Sequence, residues 1–451
     1  TDSGGKTDSQ DIIIGIIGSV GISSISGGGA HSYVIYEGTI WSWGWGSWGQ
    51  LGDGTEDTKK WSPESIGFGD VDSLAGAGYL HSLVLKSDKT VWGWGGNSSG
   101  ALGIGIESVS EPAPVQTVGL SEADIISVNT GHAHGLALKS DGTVLAWGLN
   151  DTGQIGIGPD TPEKVLTPVQ VPGLTDIIDI AGGHHSLAVD SNGNVWAWGD
   201  NSYNQLGDGT YDDQWSPVQI PGLTGVVGVY AGYQNSTVLK SDGTVWGWGS
   251  SFWSAVEDET VPSRIPGFDN IIDIASGDDH ILALKSDGTI WALGDNYYGQ
   301  IGIGTRIVDQ LGLPAQVMVL TDVIEIACGH YHSLARKSDG SIWAWGSNLS
   351  GEVGIGDELI QYQLTPVKVL PIEANTPPVI SSVIPDITTS ENTPVGLDLT
   401  SYESDTEDGP AGEGNNLIWF IAGVNEDLFT ASIDPVTDEL TITPVVDAAG
   451  S

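Results

Sequence analysis

Imidazole and carboxylate side chains are the groups in this 451-residue chain that could bind a metal ion. Two histidines separated by one residue in a β-strand would point to the same face, as two ligands of one zinc ion must. Closely spaced histidines occur three times, at His132/His134, His184/His185 and His330/His332. Because the sequence offers no third and fourth ligand for any pair, we interpret these histidines as structural groups.

A carboxylate-rich segment near the C-terminus is a better candidate for a metal site. Residues 403–409 read ESDTEDG, with Asp405, Glu407 and Asp408 at closely spaced loop positions. Hard oxygen ligands of this kind bind Ca²⁺, and Glu391 is a further candidate ligand. The spacing is not that of an EF-hand, and the alternative is a solvated acidic loop. We expect no required cofactor and name Ca²⁺ as a candidate ligand of this region alone.

Aromatic side chains beside acids mark the candidate binding surfaces. Aromatic residues supply much of the binding energy of protein interfaces, and carboxylates attract basic partners. Phe252 and Trp253 form an aromatic pair close to three acids, in a stretch that departs from a pattern found elsewhere in the chain. Trp45 and Trp48 lie in a Gly-rich loop. The alternative explanation for the stretch around Phe252 is that its sequence diverged without gaining a function. The aromatic rings could also bind a glycan by stacking on its sugar rings. The candidate residues are Trp45, Trp48, Phe252, Trp253, Glu257, Asp258, Glu259, Asp278 and Asp279.

Catalytic and nucleotide-binding motifs are absent from the sequence. G-x-S-x-G, H-E-x-x-H and the P-loop pattern do not occur. The single cysteine, Cys328, lies in the apolar segment IEIACG, which predicts a buried structural thiol. We therefore predict no catalytic residue. An enzyme with a site built from scattered loop residues is kept as an alternative.

A block that recurs seven times at about fifty-residue spacing must position these groups. Its best copy, residues 181–210, reads AGGHHSLAVDSNGNVWAWGDNSYNQLGDGT. Each copy contains four short stretches typical of strands, I-x-x-I-A-x-G, H-S-L-A-L-K, T-V-W-A-W-G and P-V-Q-V. In four copies a tight Ser-Asp-Gly turn lies between the second and third stretches. Seven such copies predict an all-β, seven-bladed β-propeller.

The second stretch begins with a histidine in six copies, and Asn235 replaces it in the fifth. We interpret these anchor histidines as hydrogen-bonding groups that join adjacent blades, and the recurring tryptophans as packing between blades. The anchor histidines are His31, His81, His134, His185, His280 and His332.

The full pattern G-x-x-H-S-L-A-L-x-x-D-G-x-V-x-x-W-G-x-N-x-x-G-Q-L-G resembles the regulator of chromosome condensation repeat, over about residues 12–370. The resemblance implies a seven-bladed propeller. It also implies a family whose members serve as nucleotide-exchange factors, chromatin binders, ubiquitin-ligase modules, β-lactamase inhibitor proteins and domains of secreted bacterial proteins. These proteins share a disc with two loop-covered faces and not one chemistry, so the resemblance leaves the function open.

The sequence predicts three parts: the propeller at 1–372, a Pro-rich hinge at 373–378 and a β-sandwich at 379–451. The last part resembles cadherin-like or immunoglobulin-like domains of bacterial and archaeal surface proteins, and it ends before the final strands expected of them. We therefore expect the native polypeptide to continue. The stretch DIIIGIIGSV near the N-terminus is interpreted as an extra strand or the end of a targeting sequence. We expect the last propeller strand to dock beside the first blade.

Acidic residues outnumber basic ones 58 to 14, for a net charge of −44. Such a surface repels nucleic acids and anionic membranes, and no apolar run reaches the roughly 20 residues of a membrane span. We expect a prokaryotic extracellular or cell-surface scaffold, non-catalytic, whose propeller loops bind a protein or a glycan. The alternatives are a polysaccharide lyase or glycosidase, and a surface-layer or filament subunit that assembles with itself.

Overall fold

The computed structural model describes residues 22–56, 59–120, 123–249 and 260–369, together with the backbone of seven strands outside these ranges. The chain forms two compact units, one spanning 22–372 and the other combining 1–21 with 373–451. The predicted propeller boundary at residue 1 therefore moves to residue 22. The reason is that the N-terminal strand Ile13–Ile17 pairs antiparallel with Ile418–Ala422 of the second unit.

The larger unit consists of seven four-stranded antiparallel sheets, which confirms the predicted seven-bladed β-propeller. Each blade comes from one sequence repeat, and its strands lie in chain order from the central axis outward. We number the blades 1 to 7. The first strands are Ile22–Gly27, Val71–Ala77, Ile125–Thr130, Ile177–Gly182, Val226–Ala231, Ile271–Ser276 and Val323–Cys328. The second strands are His31–Tyr36, His81–Lys86, His134–Lys139, His185–Asp190, Asn235–Lys240, His280–Lys285 and His332–Lys337.

The third and fourth strands complete each blade and carry the Trp-rich and Pro-containing stretches. The third strands are Thr39–Trp45, Val91–Gly96, Val144–Leu149, Val195–Gly199, Val245–Gly249, Ile290–Asn296 and Ile342–Ser347. The fourth strands are Lys59–Ser65, Ser110–Gln116, Lys164–Gln170, Gln214–Gln219, Ser263–Arg264, Ile307–Gln316 and Tyr362–Lys368. Proline is tolerated in the fourth strands because they form the outer edge of each sheet, where one backbone N–H needs no ladder partner.

The Ser-Asp-Gly turns join the second and third strands as the sequence predicts. In blade 3, a carboxylate oxygen of Asp141 accepts hydrogen bonds from the backbone N–H of Thr143 at 3.0 Å and from its hydroxyl at 2.7 Å. Gly142 has a φ of 78°, and a Cβ there would lie 2.8 Å from Cα of Asp176. The turn therefore requires glycine for both its dihedral angle and its space.

A buried network of three side chains joins neighbouring blades at four of the seven interfaces, those of blades 3/4, 4/5, 6/7 and 7/1. In blades 4 and 5, Nε2 of His185 lies 2.6 Å from Oγ of Ser236. The Ser236 hydroxyl donates to the Gln205 carbonyl at 2.6 Å, and Nε1 of Trp248 donates to the same carbonyl at 2.9 Å. Because the serine proton is used on the carbonyl, the imidazole must carry its own proton on Nε2.

The propeller closes through this same network and not through a shared strand. The last strand, Tyr362–Lys368, pairs with Ile342–Ser347 of its own blade, and it lies beside blade 1 through the packing of Val367 and not as an added strand. Blades 7 and 1 instead share a hydrophobic core that contains Trp43, Leu334 and other buried side chains. Each blade is complete in itself, and side-chain packing joins the ends of the ring.

The second unit is described at the level of its strands. Ile13–Ile17 pairs with Ile418–Ala422, and the described strands also form a separate two-stranded and a separate three-stranded sheet. These sheets are formed by Val379–Ile380 with Glu403–Ser404, and by Val395–Asp398, Glu439–Pro444 and Phe429–Ile433. The candidate calcium ligands Glu391, Asp405, Glu407 and Asp408 lie outside the described residues, and the cadherin-like or immunoglobulin-like domain stays a prediction. No helix capable of crossing a bilayer occurs in the described part of the chain.

Candidate binding site at the mouth of the central channel

The first strands of all seven blades line a central channel that holds a cavity of about 420 Å³. Its wall carries acidic side chains from three blades. Burial raises the pKa of Asp179 to about 6, and burial likewise raises that of Asp273 to about 6. Glu325 accepts hydrogen bonds from Ser24 at 2.9 Å and from Arg336 at 2.7 Å. Arg336, which replaces an apolar residue of the repeat, therefore has the acidic partner that such a substitution needs.

Seven residues, one from each blade, form what we call the channel ring at one end of this channel. Each directly follows the glycine that begins the loop between the first and second strands. Because consecutive strands are antiparallel, the loops between the third and fourth strands lie on the same face of the propeller, which we call the ring face. The channel ring consists of Gly29, Tyr79, His132, His184, Tyr233, Asp278 and His330.

Stacked side chains connect the ring residues across the channel mouth. The Tyr79 ring lies between His132 and His330, stacked at 4.8 Å from each. His132 is 4.3 Å from His184, whose ring in turn is 3.9 Å from Tyr233. The result is one continuous layer of tyrosine and imidazole rings.

Glycine and aspartate occupy the two remaining ring positions. A Cβ on Gly29 would lie 2.5 Å from the Tyr79 carbonyl oxygen, so a side chain at this position would displace Tyr79. Its absence in blade 1 lets Tyr79 reach His330 of blade 7 directly. Asp278 continues the layer on the other side, with Oδ2 2.9 Å from Nδ1 of His330.

Burial lowers the pKa of two ring imidazoles, His132 and His184. Desolvation lowers the pKa of His132 to about 3, and the neighbouring His184 and His330 lower it further. Burial also lowers the pKa of His184, although nearby carboxylates, Asp200 first among them, oppose the shift. His132 and His184 are therefore uncharged near neutral pH.

The structure separates the closely spaced histidines instead of pointing them to one face. The first histidine of each pair lies in the channel ring and the second lies in the network between blades, as with His132 and His134. Across the described residues, no group of three His, Cys, Asp or Glu side chains has the geometry of a metal site.

Tyrosines from blades 6 and 7 extend the ring outward, forming what we call the tyrosine patch. Tyr331 lies 5.9 Å from His330 and 4.8 Å from Tyr298. Tyr298 contacts Tyr362 at 5.8 Å and Tyr297 at 4.9 Å. The patch is open to solvent, since Tyr297 is 46% exposed and Tyr331 is 37% exposed.

Arg306 is the cation of the tyrosine patch. Its guanidinium carbon lies 4.6 Å from the ring centroid of Tyr297 and 4.4 Å from that of Tyr362. This position between two aromatic rings holds both the arginine and the tyrosines in place by cation–π attraction.

The structure brings some of the sequence-predicted residues to this site. Asp278 is a ring member, and burial raises the pKa of its neighbour Asp279 to about 6, with Asp278 and Asp295 contributing. Trp45 and Trp48 are half-buried on the ring face, Trp45 at the end of the third strand of blade 1 and Trp48 in the loop that follows, and Trp45 Nε1 donates to Ser47 at 2.9 Å. The other candidates, Phe252, Trp253, Glu257, Asp258 and Glu259, lie outside the described residues.

The remaining ring residues were not predicted from the sequence, although a signal for them exists. When the seven copies are aligned, the position after the loop glycine holds an aromatic or imidazole side chain in five of them: Tyr79, His132, His184, Tyr233 and His330. The identity of the residue at this position differs between blades, but most blades keep an aromatic or imidazole ring there. Such a pattern indicates a residue at the surface of the propeller and not in the core of a blade.

Cys328 is buried and its thiol contacts the Ala275 carbonyl at 3.4 Å. Burial raises the pKa of the thiol well above its usual range, so it is not a thiolate nucleophile near neutral pH.

Comparison with known proteins identifies the family. A model of the RCC1-like domain matches residues 5–255, and models of the regulator of chromosome condensation (RCC1) repeat match residues 287–336, and also 271–300 and 323–352. The ultraviolet-B receptor UVR8 of Arabidopsis thaliana is 31% identical over 346 residues, covering 75% of this chain and 68% of UVR8.

Two further proteins show similarity over parts of the chain. Human HERC6, a probable E3 ubiquitin-protein ligase, is 35% identical over 181 residues, and the match spans 39% of this chain and 18% of HERC6. The crystal structure of Prp20p from Saccharomyces cerevisiae superposes with a TM-score of 0.65 at 27% identity, covering 74% of this chain and 86% of Prp20p. From the repeats, the seven blades and these matches together, the chain belongs to the family of proteins with an RCC1-like domain.

Proposed function

We propose that this chain is a non-catalytic binding protein whose ring face engages a protein partner. The observation that carries the proposal is the continuous aromatic surface that runs from Tyr233 through the channel ring to Tyr331 and Tyr362. Solvent-exposed aromatic side chains held rigid by their neighbours are the groups that contribute most to protein interfaces.

The scaffold suits this role because it fixes the surface before a partner arrives. The ring residues follow strands that pack around the axis, and the histidine–serine contacts between blades, as at His185 and His280, fix the starts of the second strands that follow these loops. A preformed surface loses little conformational entropy on binding, which leaves more of the contact energy for affinity.

Proteins of the same family support a protein partner. The Prp20p structure was described together with its binding properties to Gsp1p and histones. The ubiquitin-ligase activity named for HERC6 is not part of the proposal, since the match spans 18% of that protein.

A polysaccharide-acting enzyme is the alternative with an observation in its favour, namely the channel carboxyls of raised pKa. Asp179 and Asp273 have the pKa of about 6 that acid–base catalysts often show. However, Asp179 uses both oxygens to accept hydrogen bonds from the backbone N–H groups of Ile180 at 2.9 Å and Val229 at 3.0 Å. This favours a structural role, because the carboxylate joins blades 4 and 5.

The test is affinity capture with the full chain immobilised and exposed to a protein extract from its source. We expect wild-type protein to retain a defined partner, and a Tyr298→Ala/Tyr331→Ala variant to lose it. The control is Ile178→Ala/Ile272→Ala, which removes two exposed aliphatic side chains from the opposite face. Retention by the tyrosine variant together with loss by the control would overturn the choice of face.

Digestion of the captured material distinguishes a protein from a glycan. Aromatic rings also stack on sugars, so a glycan partner would survive protease treatment and disappear after glycosidase treatment. A protein partner shows the reverse, and that is the result we expect.

We also propose an extracellular or cell-surface location, which the excess of acidic over basic residues supports. Fractionation of the source cells tests it: the proposal requires the chain in the surface or culture-medium fraction, and recovery from the cytosol alone would contradict it.

A further inference from the structure

We propose that the partner segment bound on the ring face is cationic, namely an extended polypeptide segment bearing lysine or arginine side chains. This rests on the proposed function and adds the chemistry of the partner. The argument uses the charges of the ring-face loops, the protonation state of the channel ring, and the aromatic surface that a cation would meet.

Charge is distributed unequally over the two faces of the propeller. In the described ring-face loops, Arg306 is the one basic side chain, and it is already stacked between two tyrosines. The acidic side chains of these loops come from six of the seven blades. They are Asp53, Glu56, Glu107, Asp151, Asp160, Glu163, Asp200, Asp208, Asp212, Asp213, Asp278, Asp279, Glu352, Asp357 and Glu358.

The lysines nearest to this face are also engaged. Lys60 lies 2.7 Å from Asp53, Lys164 lies 2.8 Å from Glu107, and Lys59 donates to the Leu349 carbonyl at 2.7 Å. On the opposite face, by contrast, the second strands end in lysines beside the acidic hairpins: Lys86, Lys139, Lys240, Lys285 and Lys337. The ring face is therefore the more negative of the two.

His132 and His184 do not offset this charge. The channel-ring imidazoles His132 and His184 have lowered pKa values and are neutral near pH 7. Burial raises the pKa of Asp213, and the neighbouring Asp200 and Asp151 raise it further, as expected where carboxylates crowd together without cations.

A cationic side chain fits the surface in two ways. The acidic loops attract it over a distance of about one Debye length, and the exposed tyrosine rings offer cation–π contacts once it arrives. Two copies of this chain would bring like charges together if they met through their ring faces, and an anionic partner such as a nucleic acid would be repelled. Charge complementarity thus selects a basic segment over these occupants.

The test is isothermal titration calorimetry of the full chain with a synthetic peptide of alternating lysine and tyrosine, and with its glutamate–tyrosine counterpart. We expect saturable binding of the lysine peptide, weakened about tenfold when salt rises from about 20 to 200 mM, and no binding of the glutamate peptide.

Matched variants locate the binding. The ring-face variant is Asp160→Asn/Asp212→Asn/Glu358→Gln, at exposed loop positions. The control, Asp141→Asn/Asp242→Asn/Asp287→Asn, removes the same charge from exposed hairpins of the opposite face. We expect about tenfold weaker binding for the first and a change of less than about twofold for the second. Equal losses in both variants, or no binding of the lysine peptide, would overturn the proposal.

Competition distinguishes this inference from the proposed function. If the lysine peptide displaces the captured partner, the result supports both the proposed function and the cationic character of the partner segment. If the partner depends on Tyr298 and Tyr331 but the peptide neither binds nor competes, the ring face is the binding surface and the cationic segment is rejected. If the partner is indifferent to both tyrosines, the proposed function itself fails.

Discussion

Nε2 of His332 lies 2.8 Å from Oγ of Ser32, and this contact joins the last blade of the propeller to the first. The Ser32 hydroxyl donates in turn to the Glu352 carbonyl at 2.9 Å, where Trp43 Nε1 also donates at 2.9 Å. Blades 4 and 5 use the same arrangement with His185, so the closing interface repeats the geometry of an interior one. Closure therefore depends on a few buried polar groups whose partners lie at opposite ends of the propeller sequence.

Replacing Ser32 tests this closure. Ser32→Ala leaves Nε2 of His332 buried without a partner, and we expect the free energy of unfolding to fall by about 1–3 kcal/mol. Urea denaturation followed by tryptophan fluorescence measures the change. The control is Ser87→Ala at an exposed turn, where we expect a change of less than about 0.5 kcal/mol. Equal effects of the two substitutions would contradict the role assigned to Ser32.

Blade 3 departs from the network and gives a second prediction. Gly135 stands where five other blades carry the serine, so Nε2 of His81 has no hydrogen-bond partner within the described structure. A serine at position 135 would supply the missing hydroxyl, but it would not stabilise the protein, because a Cβ on Gly135 would lie 2.5 Å from the Trp147 ring. We expect Gly135→Ser to lower the free energy of unfolding by about 1–3 kcal/mol.

Gly69→Ser is the matched control for that substitution, since a Cβ there would have no heavy atom closer than 3.8 Å. Thermal unfolding of both variants decides the point. A Gly135→Ser protein more stable than the wild type would show that the Trp147 ring moves aside at little cost.

Stability should fall as the pH drops from about 6.5 to 5. Burial lowers the pKa of each anchor histidine to about 3, or to about 4 for His81. The unfolded chain therefore takes up protons below about pH 6.5 that the folded chain does not. Asp179, Asp273 and Asp279, with pKa values raised to about 6, act in the opposite direction because the folded chain protonates them first. The anchor histidines outnumber these carboxyls, so the net effect is destabilisation in acid.

Urea midpoints measured at several pH values test this balance. His280→Gln should make the pH dependence shallower by about one proton, which is about 1.4 kcal/mol per pH unit. A curve that is flat from pH 6.5 to 5, or unchanged by the substitution, would show that the anchor histidines are protonated in the folded state.

Calcium should stabilise the second unit if the carboxylates near residue 405 bind it. We predict a higher midpoint of thermal unfolding in about millimolar Ca²⁺, a range typical of extracellular calcium modules, and loss of this shift in Asp405→Asn/Asp408→Asn. Magnesium at the same concentration is the control. An identical unfolding curve with calcium and with chelator would reject the site.

The repeat period made the architecture predictable, whereas the channel ring required the structure. Four strand-like stretches per copy and a glycine at each tight turn are local signals, and Gly142 is an example of a residue whose role is readable from its neighbours. The contact between Tyr79 and His330 is different. It joins blades 2 and 7 across Gly29, so it depends on how the ring of blades closes.

The sequence prediction included Asp278 because of its charge, but it did not include the other members of the channel ring. Asp278 was noticed because it stands in a pair of acids, while Tyr233 and His184 fitted the general abundance of aromatic and histidine residues in the repeats. The sequence and the structure also differ at the start of the propeller, for a related reason. The apolar strand Ile13–Ile17 looks like another blade strand in sequence, and only its pairing with Ile418–Ala422 assigns it to the second unit.

Site-specific photo-cross-linking tests the central claim, that the ring face is the binding surface, most directly. A photoreactive phenylalanine analogue would replace Tyr297 on the ring face in one protein and Ile178 on the opposite face in another, and each would be irradiated with the partner bound. We predict a cross-linked partner from position 297 and none from position 178. Cross-linking from position 178 alone would place the partner on the opposite face and contradict the account.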